Sequence, residues 1–289
     1  MKITRKRALK NLSGLATLGF MGLPTVSSGS NEIEPLSQRI NHSVCEWCFN
    51  QFELEELCEF AKNIGISSID LLTPDQWATA QKYDLTCAMA YGSQMGIVNG
   101  FSDPQNHKTL LKEYKDSFPK AADAGLVNVI CFSGNRNGLS DAAGLEICAK
   151  GLEPVVKLAE KHNIVLTMEL LNSKVDHQDY LCDHTEWGVS LADKLGSPNF
   201  KLLYDIYHMQ IMEGDVIATI QKRKDYISHY HTAGVPGRNE IDETQELYYP
   251  AIMKAIADTG FTGHVAQEFI PKQQDALASL KKGIEICDI

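Results

Sequence analysis

Lys201-Leu-Leu-Tyr-Asp-Ile-Tyr-His-Met-Gln-Ile-Met-Glu-Gly-Asp215 is the stretch whose reading decides the fold. The apolar run Lys201 to Tyr204 carries a strand pattern and ends on Asp205, with His208 beyond it and a turn signal at Glu213-Gly-Asp215. An acid at the end of a buried strand needs a partner, because a lone carboxylate in an apolar interior must find a cation, a metal or a proton. The question for the rest of the chain is what Asp205 meets.

On either side of this stretch, strand-like and helix-like segments alternate. The apolar patterns predict strands at His42–Phe49, Ile66–Leu72, Leu85–Tyr91, Val127–Phe132, Ile164–Leu171, Phe200–Ile206, Ile227–Thr232 and His264–Phe269. Between them the spacing predicts helices at Glu53–Asn63, Pro74–Lys82, His107–Ala124, Asp141–His162, Thr185–Leu195, Val216–Lys224, Tyr249–Thr259 and Asp275–Ile286. Eight such units in roughly 250 residues predict an α/β fold, a single-domain (β/α)8 TIM barrel over residues 31–289. A doubly wound open sheet is the alternative, but no Gly-rich phosphate loop follows the first strand.

Barrel enzymes carry their sites at the C-terminal ends of the strands. Glu169, Asp205, His231 and Glu268 all fall there, on four successive strands, with separations of 36, 26 and 37 residues. Neighbouring strands lie about 4.8 Å apart, so the four side chains can converge. Three carboxylates meeting without a cation would repel one another. With one imidazole added they form a ligand set for a divalent metal ion, Mn²⁺ or Mg²⁺. Around them, His208 is expected on a loop or first helical turn, in contact with substrate. Arg238, in a Gly-flanked loop, is expected either to clamp a substrate oxygen or to pair with Glu240 or Asp242 at the surface. Strand alternation is taken to point His229 away from His231, as a structural or supporting residue. Trp47 and Phe49 are assigned to the pocket wall or the core, and His177 and His184 to loops.

Composition limits the partners. The chain has 289 residues, 44% of them hydrophobic, and a formal net charge of −10. Lys2, Arg5, Lys6, Arg7 and Lys10 precede an apolar run from Leu12 to Leu23 and a small polar stretch to Ser30, the layout of an export signal. The run is too short to span about 30 Å of bilayer as a helix, so no stable membrane anchor is expected. Thr4 to Lys10 also resembles a twin-arginine signal, with Lys6 in place of the second arginine. Export to the periplasm is therefore expected, with the twin-arginine route as one option for it and a cytoplasmic location as the alternative. Without residues 1–30, which hold no acid, the formal charge becomes −15. A body this acidic argues against nucleic acid, whose phosphates reward basic surfaces. Eight scattered cysteines include one Cys45-Glu-Trp-Cys48 pair with no matching second pair, and they read as buried free thiols. A homo-oligomer is compatible with all of this.

Longer strings then point further. Met168-Glu-Leu-Leu-Asn172, Tyr204-Asp-Ile-Tyr-His-Met-Gln-Ile-Met-Glu-Gly-Asp215, His229-Tyr-His-Thr-Ala-Gly-Val-Pro-Gly-Arg238 and Gln267-Glu-Phe269 resemble the hydroxypyruvate isomerase family of xylose-isomerase-like TIM barrels. The resemblance runs from about His42 and is most specific from Val165 onward. It implies that Glu169, Asp205, His231 and Glu268 hold the metal, that Glu169 and Glu268 move protons, and that His208 and Arg238 contact substrate oxygens. One position departs: typical hydroxypyruvate isomerases carry Gln where His231 stands, whereas the related ketose 3-epimerases carry His. Three readings therefore stay open. They are an isomerase of a small hydroxy-carbonyl compound or sugar, an epimerase or other periplasmic enzyme on an oxidised sugar, and a non-catalytic carbohydrate-binding barrel.

Overall fold

The computed structural model describes residues 36–289. The expected export signal, residues 1–30, lies outside them. Eight parallel strands form one sheet in the order β2-β1-β8-β7-β6-β5-β4-β3. They are β1 (Asn41–Cys45), β2 (Ser68–Asp70), β3 (Met89–Tyr91), β4 (Asn128–Cys131), β5 (Val165–Glu169), β6 (Phe200–Asp205), β7 (Ile227–Thr232) and β8 (His264–Gln267). The two edges meet through isolated bridges, Ser68 with Thr86 and Leu72 with Ala90, and Leu71 N–H donates to the Met89 carbonyl at 2.7 Å. Closing the sheet removes its edges, and the (β/α)8 barrel read from the alternation is the observed fold.

The described helices are α1 (Leu54–Asn63), α2 (Trp77–Lys82), α3 (His107–Asp123), α4 (Asp141–His162), α5 (Thr185–Leu195), α6 (Ile206–Met212), α7 (Val216–Arg223), α8 (Tyr249–Asp258) and α9 (Ala276–Cys287). Their ends follow local chemistry. The Ser140 hydroxyl accepts the Ala143 N–H to start α4, and Asp275 accepts that of Ala278 to start α9. Helix α5 closes on Gly196 with φ +62°, a left-handed position that glycine adopts without strain.

Three expectations needed correction. The first strand stops at Cys45, and Glu46–Phe49 coil into a 3₁₀ turn. The turn swings Trp47 sideways toward the barrel mouth, while Phe49 stays in the core, edge-on to Phe269 at 5.7 Å. Helix α2 begins at Trp77 rather than Pro74, because the Gln76 amide oxygen accepts from the backbone and hydroxyl of Thr73 and holds the preceding residues in a turn. Helix α6 was not expected as a full helix. Its N-cap is Asp205, whose carboxylate accepts the His208 N–H at 3.0 Å.

Beyond β3 and β4 the two loops run side by side, with Ser102 N–H donating to the Ser133 carbonyl at 2.6 Å. Gly100 sits where they touch. A Cβ there would collide with the backbone of Phe132, Ser133 and Gly134.

Candidate metal centre

Strands β5 to β8 bring Glu169, Asp205, His231 and Glu268 together at the C-terminal mouth, each with one ligand-type atom within 4.8 Å of the others, and all four buried. The register accounts for part of this. Asp205 and His231 are direct partners across β6 and β7, after a shift between Leu202 and Leu203, and Thr232 faces Gln267, the residue before Glu268.

The polar atoms are unevenly satisfied. Glu268 Oε1 accepts the Trp47 indole N–H at 2.9 Å, and Oε2 accepts from Arg238 Nη2. His231 Nδ1 lies 3.1 Å from Glu268 Oε2 and 3.3 Å from Glu169 Oε1 without an aligned hydrogen bond to either. Glu169 Oε1 has no partner at all. Buried polar atoms are nearly always satisfied, so orphans in such a cluster mark a place for a ligand.

The electrostatics agree. Burial raises Asp205 well above the usual carboxylate range against the pull of Arg238, and burial likewise raises Glu169. Burial also works against an ionised Glu268, but His231 and Arg238 outweigh it and hold Glu268 well below the usual range. For His231 burial opposes charge, and the surrounding anionic groups, Glu268 and Asp70 among them, outweigh that opposition. Three carboxylates crowded into one buried spot cannot all ionise comfortably without more positive charge than one Arg and one His supply. Oxygen-rich donors with a single imidazole suit a hard or borderline divalent cation. The residues present therefore fit a divalent ion.

His208 and Arg238 stand at the same mouth. Asn172 Oδ1 accepts the N–H groups of Val175 and Asp176, which makes Nδ2 the donor to His208 Nδ1 at 2.7 Å. That leaves the His208 proton on Nε2, which has no hydrogen-bond partner and lies 3.7 Å from Asp205 Oδ2. Burial, then Arg238, depresses its pKa well below normal, so the ring is neutral. Arg238 does not pair with Glu240 or Asp242. Its guanidinium contacts Glu268, lies 3.7 Å from Asp205, and stands over the rings of Trp47 at 5.2 Å and Tyr207 at 5.6 Å. Glu240 is instead buried, accepting the N–H groups of Lys272 and Gln273.

A cavity of about 240 Å³ opens beside Glu169, Glu268 and Arg238, with Leu71, Phe132 and Leu171 as apolar wall. His177 also lines it, its ring 5.3 Å from that of His208, so this histidine reaches the site, whereas His184 pairs with Asp183 and is not among the lining residues. A larger hollow of about 600 Å³ lies at the opposite end, by Asn128, Val165, Ile227 and His264, the first residues of their strands.

His229 does not point away from His231. Residues two apart on a strand share a face, so His229 and His231 both point inward, their rings 5.2 Å apart. His229 Nε2 contacts Asp70 Oδ2 at 2.5 Å. Asp70 itself was missed, although it is an acid closing a short buried strand, the same signal that singled out Asp205. The eight cysteines are all free and buried, as expected.

Among known proteins, a model of the xylose isomerase-like TIM barrel matches residues 58–287. A human protein named putative hydroxypyruvate isomerase is 30% identical over 112 residues, 39% of this chain and 40% of that protein, so the match spans about two fifths of its length. A D-psicose 3-epimerase of Enterocloster bolteae is 24% identical over 239 residues, 78% of this chain and 75% of that protein. Among solved structures, an AP endonuclease, family 2, from Brucella melitensis superposes with a TM-score of 0.74 at 22% identity, covering 85% of this chain and 96% of that one, a likeness of fold alone. With the family model spanning residues 58–287, most of the barrel, the chain belongs to the xylose isomerase-like TIM barrel family.

Proposed function

We propose that this protein is a divalent-metal-dependent isomerase of a small hydroxy-carbonyl compound or sugar, of the hydroxypyruvate isomerase type, working by proton transfer through an enediol. The observation that carries the reading is the buried quartet of Glu169, Asp205, His231 and Glu268 with unsatisfied atoms at its centre. The relatives' names, a putative hydroxypyruvate isomerase and a D-psicose 3-epimerase, support the same chemistry. Glu169, Asp205, His231 and Glu268 would hold Mn²⁺ or Mg²⁺, and the cation would supply Lewis acidity to the substrate there.

The side chains divide the remaining work. Glu169, whose Oε1 is unengaged, takes a proton from the carbon next to the carbonyl and returns it to the neighbouring carbon. Glu268 is tethered by Trp47 and Arg238 and held ionised, which fixes the direction from which it accepts the substrate hydroxyl proton that passes to the carbonyl oxygen. His208 Nε2–H donates to a substrate oxygen, and the planar fork of Arg238 orients a second. The apolar wall excludes water from the intermediate.

Two carboxylates at one centre, together with His231, also suit epimerisation, which needs a proton acceptor on one face of the carbon and a proton donor on the other. Incubation with Mn²⁺ in D₂O, using hydroxypyruvate and a panel of aldoses and ketoses, separates these readings. Label beside the carbonyl with a new carbonyl position indicates the isomerase, and label with inversion at one carbon indicates the epimerase. Tight sugar binding without any label would leave a non-catalytic carbohydrate-binding barrel. We place the protein in the periplasm on the strength of residues 1–30, to be checked by fractionation.

A further inference from the structure

Behind His231 lies a second buried polar cluster that the proposed chemistry does not use. Asp70, at the end of β2, is fully buried. Its Oδ1 accepts the hydroxyls of Ser43 at 2.6 Å and Ser68 at 3.2 Å, while Oδ2 contacts His229 Nε2 at 2.5 Å. The same Oδ2 lies 3.6 Å from His231 Nε2, on the far side of the ring from Glu169 and Glu268. Cys45 Sγ, a thiol that burial keeps protonated, lies 3.7 Å from that nitrogen, within reach of a long hydrogen bond in which Nε2–H donates to sulfur. Three neighbouring side chains thus clamp one carboxylate whose remaining reach is toward the back of the imidazole.

An imidazole has two nitrogens, and only one of them here faces the carboxylate quartet. For Nδ1 to offer its lone pair, the proton must sit on Nε2, and a fixed negative charge behind Nε2 favours that tautomer and that ring angle. No other carboxylate approaches Nε2 among the described residues. The support comes from β1 and β2, strands that contribute no member of the quartet, and it crosses the barrel to reach β7.

We infer that Asp70 is the positioning residue for His231: braced by Ser43, Ser68 and His229, its carboxylate fixes the ring so that Nδ1 is presented to the cation. This rests on the cation reading above. The experiment is a calorimetric titration of MnCl₂ into the wild type and into Asp70→Asn, with circular dichroism and a thermal melt of each. Asparagine keeps the shape and loses the charge, and the expected result is a folded variant with Mn²⁺ affinity lower by about 10- to 100-fold. A folded Asp70→Asn protein that binds Mn²⁺ as the wild type does would overturn the inference, even if its melting temperature fell, since that would be packing alone. Should Asp70→Asn fail to fold, Ser43→Ala removes one brace and leaves the carboxylate, and the expected loss is smaller, about threefold, below the range for loss of the charge itself. Unchanged affinity in Ser43→Ala then overturns the positioning role. Absence of Mn²⁺ binding by the wild type is a separate result, which removes the cation reading and this inference with it.

Discussion

Strands β5 to β8 lead into Glu169, Asp205, His231 and Glu268, whereas β3 and β4 end in Tyr91 and Cys131 and lead into loops pressed together at Gly100. One side of the mouth concentrates buried charge that does not satisfy itself. The other is apolar surface and close backbone contact, with Phe132 turned to the cavity. Strands β1 and β2 lie between these extremes, supplying Trp47 through the turn after β1 and Asp70 to brace the charged side. The division teaches that stability and chemistry draw on different arcs of one barrel, and substitutions on the two arcs should separate them.

The largest separation is expected from Glu169→Gln. Removing the unengaged carboxylate should lower turnover by about 10³-fold, in the span typical of a lost general base, while the melting temperature of chelator-treated protein does not fall. Steady-state kinetics and calorimetry on the same sample test this. A variant that melts early would mean that the charged arc also carries packing.

Metal removal is the next largest effect. A ligand present at about 100 times its dissociation constant stabilises by about 2.7 kcal/mol, so EDTA should lower the melting temperature of Mn²⁺-loaded protein by about 5 °C. The shift should vanish in Glu169→Gln/Asp205→Asn, which loses two of the quartet.

On the opposite arc, Gly100→Ala forces the backbone of Phe132 to Gly134 to move, and overpacking of this kind costs about 1–3 kcal/mol. Chemical denaturation should show that loss with Mn²⁺ affinity unchanged. A loss of affinity would show that the two arcs are mechanically coupled.

The smallest effect near neutrality concerns neither arc. His42, buried at the foot of β1 beside Asp288, has its pKa lowered to about 4, chiefly by burial. The unfolded chain binds that proton near pH 6.5 and the folded chain only near 4, so folding stability falls as pH drops through this window, at up to about 1.4 kcal/mol per pH unit. His42→Gln should flatten that part of the stability profile.

The legible features were those encoded locally. The barrel followed from eight repeats of one alternation, and the quartet from acids and a histidine placed at strand ends about one unit apart. His208 was placed near Asp205, but not the helix between them, because α6 depends on Asp205 capping it with the carboxylate that also faces the cluster. Asp70 carried the same strand-end signal as Asp205, but its partner was out of reach. Its meaning lies in His229, 159 residues away across the barrel, and no periodicity within either segment announces a contact between β2 and β7. Arg238 was half legible. Its Gly-flanked loop was visible, but the choice of Glu268 over Glu240 depends on how that loop folds back, with Ile270 N–H bound to the Arg238 carbonyl at 2.7 Å.

All eight sulfhydryls are enclosed, and burial pushes several of them, Cys45, Cys131 and Cys182 among them, well above their ordinary ionisation range. Oxidants and alkylating agents attack the exposed, ionised form. The thiols of the folded protein are thus shielded from them without a single crosslink, and the rate at which iodoacetamide labels them should serve as a clock for how often the barrel breathes open.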